Sequence, residues 1–269
     1  MKCIKIIIWT FTTLSFVGCF QEPIDLDLNQ GDNEKLVVEA WISNLDEQQK
    51  VTLSLTADYL DSLEVNYVND AEVFLTYNQE TLTLSPQGQG EYTLPMDWVA
   101  ETDIDYTLEV VYQDESYVAS SFMKEMPELE EIRAEFFERR DSIDYYDVFF
   151  GFQETEGEGD GYYGIDYLKG TMVGDTLTNG GFTSDEFSDG IYFSDVTLTN
   201  DGYEIGDTVI LEAYSIGKEA SDFLLDIISE VFREGLFDAP PVNVRSNFTN
   251  GALGYFIASG GRQYEIVIE

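Results

Sequence analysis

Lys35-Leu36-Val37-Val38-Glu39-Ala40-Trp41-Ile42-Ser43 alternates, so that Leu36, Val38, Ala40 and Ile42 fall on one side of an extended chain. Successive side chains of a strand point to opposite faces, so the stretch reads as a half-buried β-strand. The same alternation recurs at Tyr106, Leu108, Val110 and Tyr112 within 106–113. Working outward, short period-two segments occupy 50–56, 71–77, 81–85, 91–94 and 116–122, giving seven strands in all. Turn material such as Pro86-Gln87-Gly88 separates them, and no long amphipathic segment intervenes. This count predicts a β-sandwich of the immunoglobulin or transthyretin kind over 35–123, without the Cys-Trp-Cys core signature of true immunoglobulin domains.

An acidic, proline-containing link, Lys124-Glu125-Met126-Pro127-Glu128-Leu129-Glu130-Glu131, breaks that pattern. A second, β-rich domain is expected over 124–269, with strands at 132–138, 145–153, 162–173, 190–199, 207–216, 253–258 and 263–268. The shift in composition supports the boundary, since 18 of the 22 glycines lie beyond residue 150. Asn200-Asp201-Gly202 reads as a hairpin turn, because these residues tolerate positive φ. Near 218–234 the period becomes helical: Phe223, Leu224, Ile227, Ile228, Val231 and Phe232 make one apolar stripe, and Gly235 stands where a helix would end. The expected class is therefore mainly β, a sandwich followed by a β-rich domain with one α-helix.

Lys2 and Lys5 precede a twelve-residue apolar run from Ile6 to Val17, followed by Gly18 and Cys19. A membrane-spanning helix needs about 20 apolar residues, so 1–18 reads as a cleaved signal peptide. Cys19 directly after a small residue resembles the bacterial lipobox, which implies acylation of Cys19, palmitate being one such chain; a plain secretory signal cleaved near Gly18 is the alternative. Cys3 leaves with the signal, so Cys19 is the only mature cysteine and has no partner for an internal disulfide. Residues 20–34 hold five acids, no base, a Pro and a Gly, the composition of a solvated spacer, so 19–34 is expected to be a lipidated tether.

The charge balance limits the partners. Thirteen Lys+Arg face 53 Asp+Glu, a formal charge of -40 with pI near 4.1. Without the signal lysines the charge is -42 (11 minus 53). Nucleic acids bind through cationic groups that release counterions, so none is expected as a partner. Anionic lipid surfaces would repel such a body, which leaves anchoring to the tether. With no His there is neither Ser-His-Asp machinery nor an imidazole metal ligand.

Asp189-Gly190, Gly206-Asp207-Thr208-Val209, Ser215-Ile216, Pro240-Pro241-Val242-Asn243-Val244-Arg245-Ser246-Asn247 and Gly251-Ala252-Leu253-Gly254-Tyr255-Phe256 follow one another in the C-terminal third. In the N-terminal half stand Lys35-Leu36-Val37-Val38-Glu39-Ala40, Asp70-Ala71-Glu72-Val73, Gly90-Glu91-Tyr92 and Tyr117-Val118-Ala119-Ser120-Ser121. Together these blocks resemble the Bacteroidota lipoproteins grouped as domain of unknown function 4249 (DUF4249), over essentially the whole mature chain, the blocks from Pro240 to Asn247 and from Gly251 to Phe256 being the specific part. The resemblance implies an outer-membrane lipoprotein, often encoded beside a TonB-dependent outer-membrane receptor, and hence an accessory of uptake. It supplies no catalytic residues.

Other constellations are weaker. Glu156, Glu158 and Asp160 alternate with glycines as at the start of a calcium loop, but the twelfth position is Tyr167 rather than the bidentate Glu such loops require, so a solvated hairpin loop is preferred. Carboxylate pairs suited to glycoside hydrolysis arise by accident among 53 acids. The doublets Phe136-Phe137, Tyr145-Tyr146, Phe149-Phe150 and Tyr162-Tyr163 are each expected to place one ring in the core and one outside. Ser62, Ser142, Thr176 and Thr208 lie in Asp-Ser/Thr-aliphatic triplets similar to the O-glycosylation sequons of Bacteroidota exported proteins, and Asn247-Phe248-Thr249 formally matches an N-glycosylation site. The leading expectation is a non-enzymatic, cofactor-free lipoprotein of the outer membrane, on either its periplasmic or its outer face, acting beside a TonB-dependent receptor. A free-standing glycan, peptide or cation binder is the alternative, and a carboxylate-dependent hydrolase ranks last.

Overall fold

The computed structural model describes residues 34–45, 48–56, 65–154, 165–173, 176–177, 181–183, 190–231 and 244–269. The expected signal, nearly all of the tether, Tyr162-Tyr163 and Gly235 lie outside these residues. The first strands are β1 (Leu36–Ser43), β2 (Lys50–Leu55), β3 (Asn66–Tyr67), β4 (Glu72–Tyr77), β5 (Glu80–Thr83), β6 (Ser85–Gly88), β7 (Glu91–Thr93), β8 (Ile104–Tyr112) and β9 (Glu115–Met123). They are followed by β10 (Leu129–Arg140), β11 (Ile143–Gln153), β12 (Ile165–Val173), β13 (Thr176–Leu177), β14 (Gly181–Thr183), β15 (Tyr192–Glu204), β16 (Thr208–Ile216), the helix α1 (Lys218–Val231), a 3-10 turn Thr249–Gly251 and β17 (Leu253–Val267).

The period-two stretches fold as their patterns require. In β1 the buried apolar positions are Leu36, Val38, Ala40 and Ile42, and in β8 they are Tyr106, Leu108 and Val110. One layer carries β1, β2, β7 and β6, with β3 attached to β2; the other has the order β5-β4-β8-β9. Between them Leu36, Val38 and Leu53 meet Val73, Leu75, Leu108 and Ala119 in one apolar core. Each fully buried aliphatic side chain there stabilises the fold by about 1.5–3 kcal/mol. The mainly β, sandwich-type architecture expected from the sequence is the one observed.

The C-terminal strand joins this sandwich to the rest. Leu253–Ser259 of β17 runs parallel to β1, with Val38 opposite Gly254 and Ser43 opposite Ser259. From Gly260 onward β17 pairs antiparallel with β16, Ser215 opposite Gly260 and Thr208 opposite Val267. The sheet thus continues β13-β12-β16-β17-β1-β2-β7-β6 across segments assigned in sequence to 35–123 and to 124–269. The separate sheet β10-β11-β15 packs Phe150 and Phe152 against Leu211 and Ala213 of β16.

Close backbone approach makes this junction sterically demanding. Gly260 N–H donates to the Lys124 carbonyl at 3.1 Å, and a Cβ on Gly260 would lie 2.2 Å from that oxygen. Gly254 has φ +94, and a Cβ there would lie 2.0 Å from the Val38 carbonyl oxygen. The first position is restricted by space alone, the second by both space and backbone conformation.

Several local expectations are corrected. Pro86-Gln87-Gly88 is the edge strand β6 rather than a turn; proline is tolerated there because an edge strand has one side without ladder bonds. Asn200-Asp201-Gly202 lies inside β15, where the register against β11 slips between Tyr146 and Val148. Gly202 uses its positive φ of +86 in that irregularity, not in a hairpin turn. The strands expected at 253–258 and 263–268 are one continuous strand, since Gly260 and Gly261 supply close approach instead of a turn. The acidic link also contributes its last three residues, Leu129, Glu130 and Glu131, to β10.

Gly260→Ala is expected to lower unfolding stability by about 1–3 kcal/mol, because backbone rather than a pliable side chain occupies the space. Urea denaturation of the two proteins measures the difference, and unchanged midpoints would show that the junction relaxes at no cost.

Candidate functional site

Among the described residues, three places gather polar or chemically active side chains. The first is the Arg245–Phe256 segment, which carries the most distinctive sequence blocks. Ser246 Oγ donates to the Ala252 carbonyl at 2.9 Å and accepts from Phe248 N–H at 3.2 Å. Asn247 Oδ1 accepts from Phe256 N–H, and its Nδ2 donates to the Phe256 carbonyl, both at 2.9 Å. Thr249 Oγ1 accepts from Val118 N–H at 2.9 Å, while Asn250 Nδ2 donates to the Ser116 carbonyl at 2.6 Å. These last two cover part of the edge of β9, where backbone groups would otherwise invite another strand. The Asn247 amide, formally a glycosylation acceptor, is thus used to hold β17.

Arg245 fastens α1 to the same segment. Asp222 and Asp226 stand four residues apart on one helix face. The guanidinium donates from Nη1 to Asp222 Oδ2 at 2.9 Å, from Nε to Asp226 Oδ2 at 2.7 Å and from Nη2 to Asp226 Oδ1 at 3.3 Å. These hydrogen bonds hold the Asp226 carboxyl below the usual carboxylate range. The apolar stripe of α1 packs Ala220, Phe223 and Leu224 against Ile216, Tyr255, Ile257 and Trp41. Phe223 stacks on Tyr255 with ring centroids 4.6 Å apart. Burial, then the negative charge of Glu219, pushes the Tyr255 phenol up to about 12.

The second place is a set of buried polar side chains on β1, β16 and β17. Glu212, only 7% exposed, accepts from Gln263 Nε2 at 2.9 Å and from the Tyr214 hydroxyl at 3.2 Å. Trp41 meets Tyr214 edge to face at 5.7 Å, and its Nε1–H donates to Ser259 Oγ at 2.6 Å. Another buried acid, Glu154, lies 3.9 Å from Lys124 Nζ and accepts from Gly190 N–H. The partners of Glu212, Trp41 and Ser259 satisfy polar groups in the interior, as a stable core demands.

The third place is the β10–β11 hairpin. Asp141 and Ser142 form its turn with φ of 48 and 72, so Ser142 is exposed at the tip. Arg139 holds Asp144 through two hydrogen bonds, the second at 2.7 Å. Arg140 pairs with Glu138 at 2.9 Å and lies over the Tyr145 ring at 4.1 Å. Arg133 bonds Glu135 at 2.6 Å, reaches Asp195 and lies over Phe149 at 5.3 Å. Three of the chain's six arginines therefore occupy one strand.

The aromatic doublets behave differently from one another. Phe149 and Phe150 divide as alternation requires, Phe150 buried and Phe149 half-buried, whereas Tyr145 and Tyr146 are both half-buried. Phe136 and Phe137 depart further, being 57% and 50% exposed. The register slips between Phe136 and Glu138, so Phe137 is an extra residue without an opposite neighbour on β11. Ile143, 41% exposed, completes the apolar tip.

Asp147, on β11 opposite Glu135, is the feature that composition concealed, since nothing marks one acid among 53. It is 5% exposed, and its Oδ1 has no hydrogen-bond partner. Burial, then the charge of Glu138, raises its carboxyl above the usual range. Among the described residues, no three His, Cys, Asp or Glu side chains are grouped to hold a metal ion. Thr208 is exposed at the start of β16 and Thr176 lies in β13. Cys19, Ser62, Glu156, Glu158 and Asp160 lie outside the described residues.

A carboxyl with a raised folded-state pKa costs stability as pH rises through its ordinary value of about 3.9, and the cost is complete once the folded-state value is passed. Asp147→Asn is therefore expected to raise Tm at pH 7, and the advantage should shrink as pH falls through the raised folded-state value and be gone below about 4. Calorimetry across that range tests this; a variant less stable than the parent at pH 7 would mean that the charge is compensated.

No curated protein matches the chain. Among the described residues no helix is long and apolar enough to cross a membrane. The family profile described as Domain of unknown function (DUF4249) matches residues 21–265, and the chain belongs to that family.

Proposed function

We propose that this protein is a non-enzymatic, lipid-anchored accessory of an outer-membrane transport system, tethered through Cys19 and working by protein contacts. The observation that carries the reading is where polar chemistry is spent. In the distinctive segment, Arg245, Ser246, Asn247, Thr249 and Asn250 bond within the chain, while the β10–β11 hairpin, whose arginines are likewise ion-paired, leaves Phe136, Phe137 and Ile143 exposed. Aromatic residues and arginine are the types enriched at protein–protein contacts.

Attachment through acyl chains suits so acidic a body. Each buried methylene contributes about 0.8 kcal/mol, and two or more chains give lasting attachment without help from surface charge. A TonB-dependent receptor remains the proposed neighbour, as the family resemblance implies.

Cys19→Ser is expected to move the protein from the membrane to the soluble fraction, and mass spectrometry of the parent should find acyl chains on the mature terminus. A parent with an unmodified terminus, or a variant still extracted only by detergent, would contradict the proposal. Affinity purification from native membranes should recover the transporter with the parent.

A further inference from the structure

From the β10–β11 hairpin we infer that its tip is the docking element of this protein and enters an apolar, cation-rimmed cleft on a partner protein. The inference rests on the proposed function and specifies where contact is made. Phe136 lies opposite Tyr146 and meets it edge to face at 6.2 Å, on the side where Tyr146 packs against the Val148 cluster. Ile143 lies opposite Arg140, whose guanidinium covers Tyr145, and side-chain alternation turns Tyr145 away from Tyr146. Apolar surface is thus exposed on both faces of the tip, with Phe137 at the bulge between them. A flat partner would cover one face; a cleft covers both.

Charge selects the occupant. Residues 136–146 carry two bases and three acids, a net of -1 (2 minus 3), on a chain of -40. Arg139 and Arg140 are engaged by Asp144 and Glu138. The charge left over is acidic: Arg133 is shared between Glu135 and Asp195, and Asp141 stands exposed at the turn. An acid-rimmed apolar tip is complementary to a cation-rimmed apolar cleft, and opposed charges of this kind select partners and speed encounter. A second copy brings another strongly negative body, and an anionic bilayer brings like charge, so both are disfavoured.

The test places a photo-reactive benzoylphenylalanine at Phe137 in the full chain, expressed in its native cells, with the same group at Met96, 81% exposed on the sandwich, as control. Illumination is expected to join residue 137, and not residue 96, to one membrane-fraction protein. That protein, once purified, should bind the parent about tenfold or more tighter than it binds Phe137→Ser or Ile143→Ser, and more weakly as salt rises. Adducts only to phospholipid, only to a second copy, equally from residue 96, or none at all would overturn the inference, as would binding indifferent to both substitutions. If a transporter still co-purifies while residue 137 forms no adduct, the docking assignment fails and the proposed function stands; if neither is seen, both fail.

Discussion

Strand β17 changes partners at Gly260, and the architecture depends on that exchange. Before it the strand extends the sandwich sheet parallel to β1; after it the strand pairs antiparallel with β16. At the point of exchange Gly260, having no side chain, admits the Lys124 carbonyl, which a Cβ there would meet at 2.2 Å. Arg262 adds to the same junction, its Nε donating to the Met126 carbonyl at 2.7 Å. The residues leading from the sandwich into β10 are thus held against the last strand of the chain. Such pairing joins segments far apart in sequence, so loop-closure entropy must be met before contacts reward it.

How much of this was legible follows from which forces are local. Leu36, Val38, Ala40 and Ile42 announced a buried face because alternation is a property of the strand itself. Phe223 and Leu224 announced the α1 stripe for the same reason, and α1 begins at Lys218 as its pattern required. The parallel partnership of β1 with β17 was illegible, because nothing within either strand specifies the register between them. Pro86 and Gly202 share one ambiguity: both residue types most commonly mark turns, whereas an edge strand and a bulge satisfy the same backbone restrictions.

The candidate surface was half legible. The Phe136-Phe137 doublet attracted notice, but strict alternation put one ring inside, and only the register slip at Phe137 exposes both. Asp147 gave no signal at all in a chain where acids are everywhere. Conversely, the segment that looked most individual in sequence proves to be a fastening. Asn247 reproduces the donor and acceptor of a neighbouring strand for Phe256, and Thr249 and Asn250 do likewise for β9. Individuality of sequence there reflects a demanding piece of backbone satisfaction, and the exposed Phe136, Phe137 and Ile143 lie on the less distinctive β10 and β11.

If β17 ties the sandwich to the later sheets as its pairing requires, the described body unfolds as one unit. Hydrogen exchange followed by mass spectrometry through a urea titration tests this directly, comparing peptides from β8 in the sandwich with peptides from β11 in the three-stranded sheet. The account predicts that both lose protection at the same urea concentration. Loss of protection in β11 while β8 stays protected, at a clearly lower urea concentration, would contradict it.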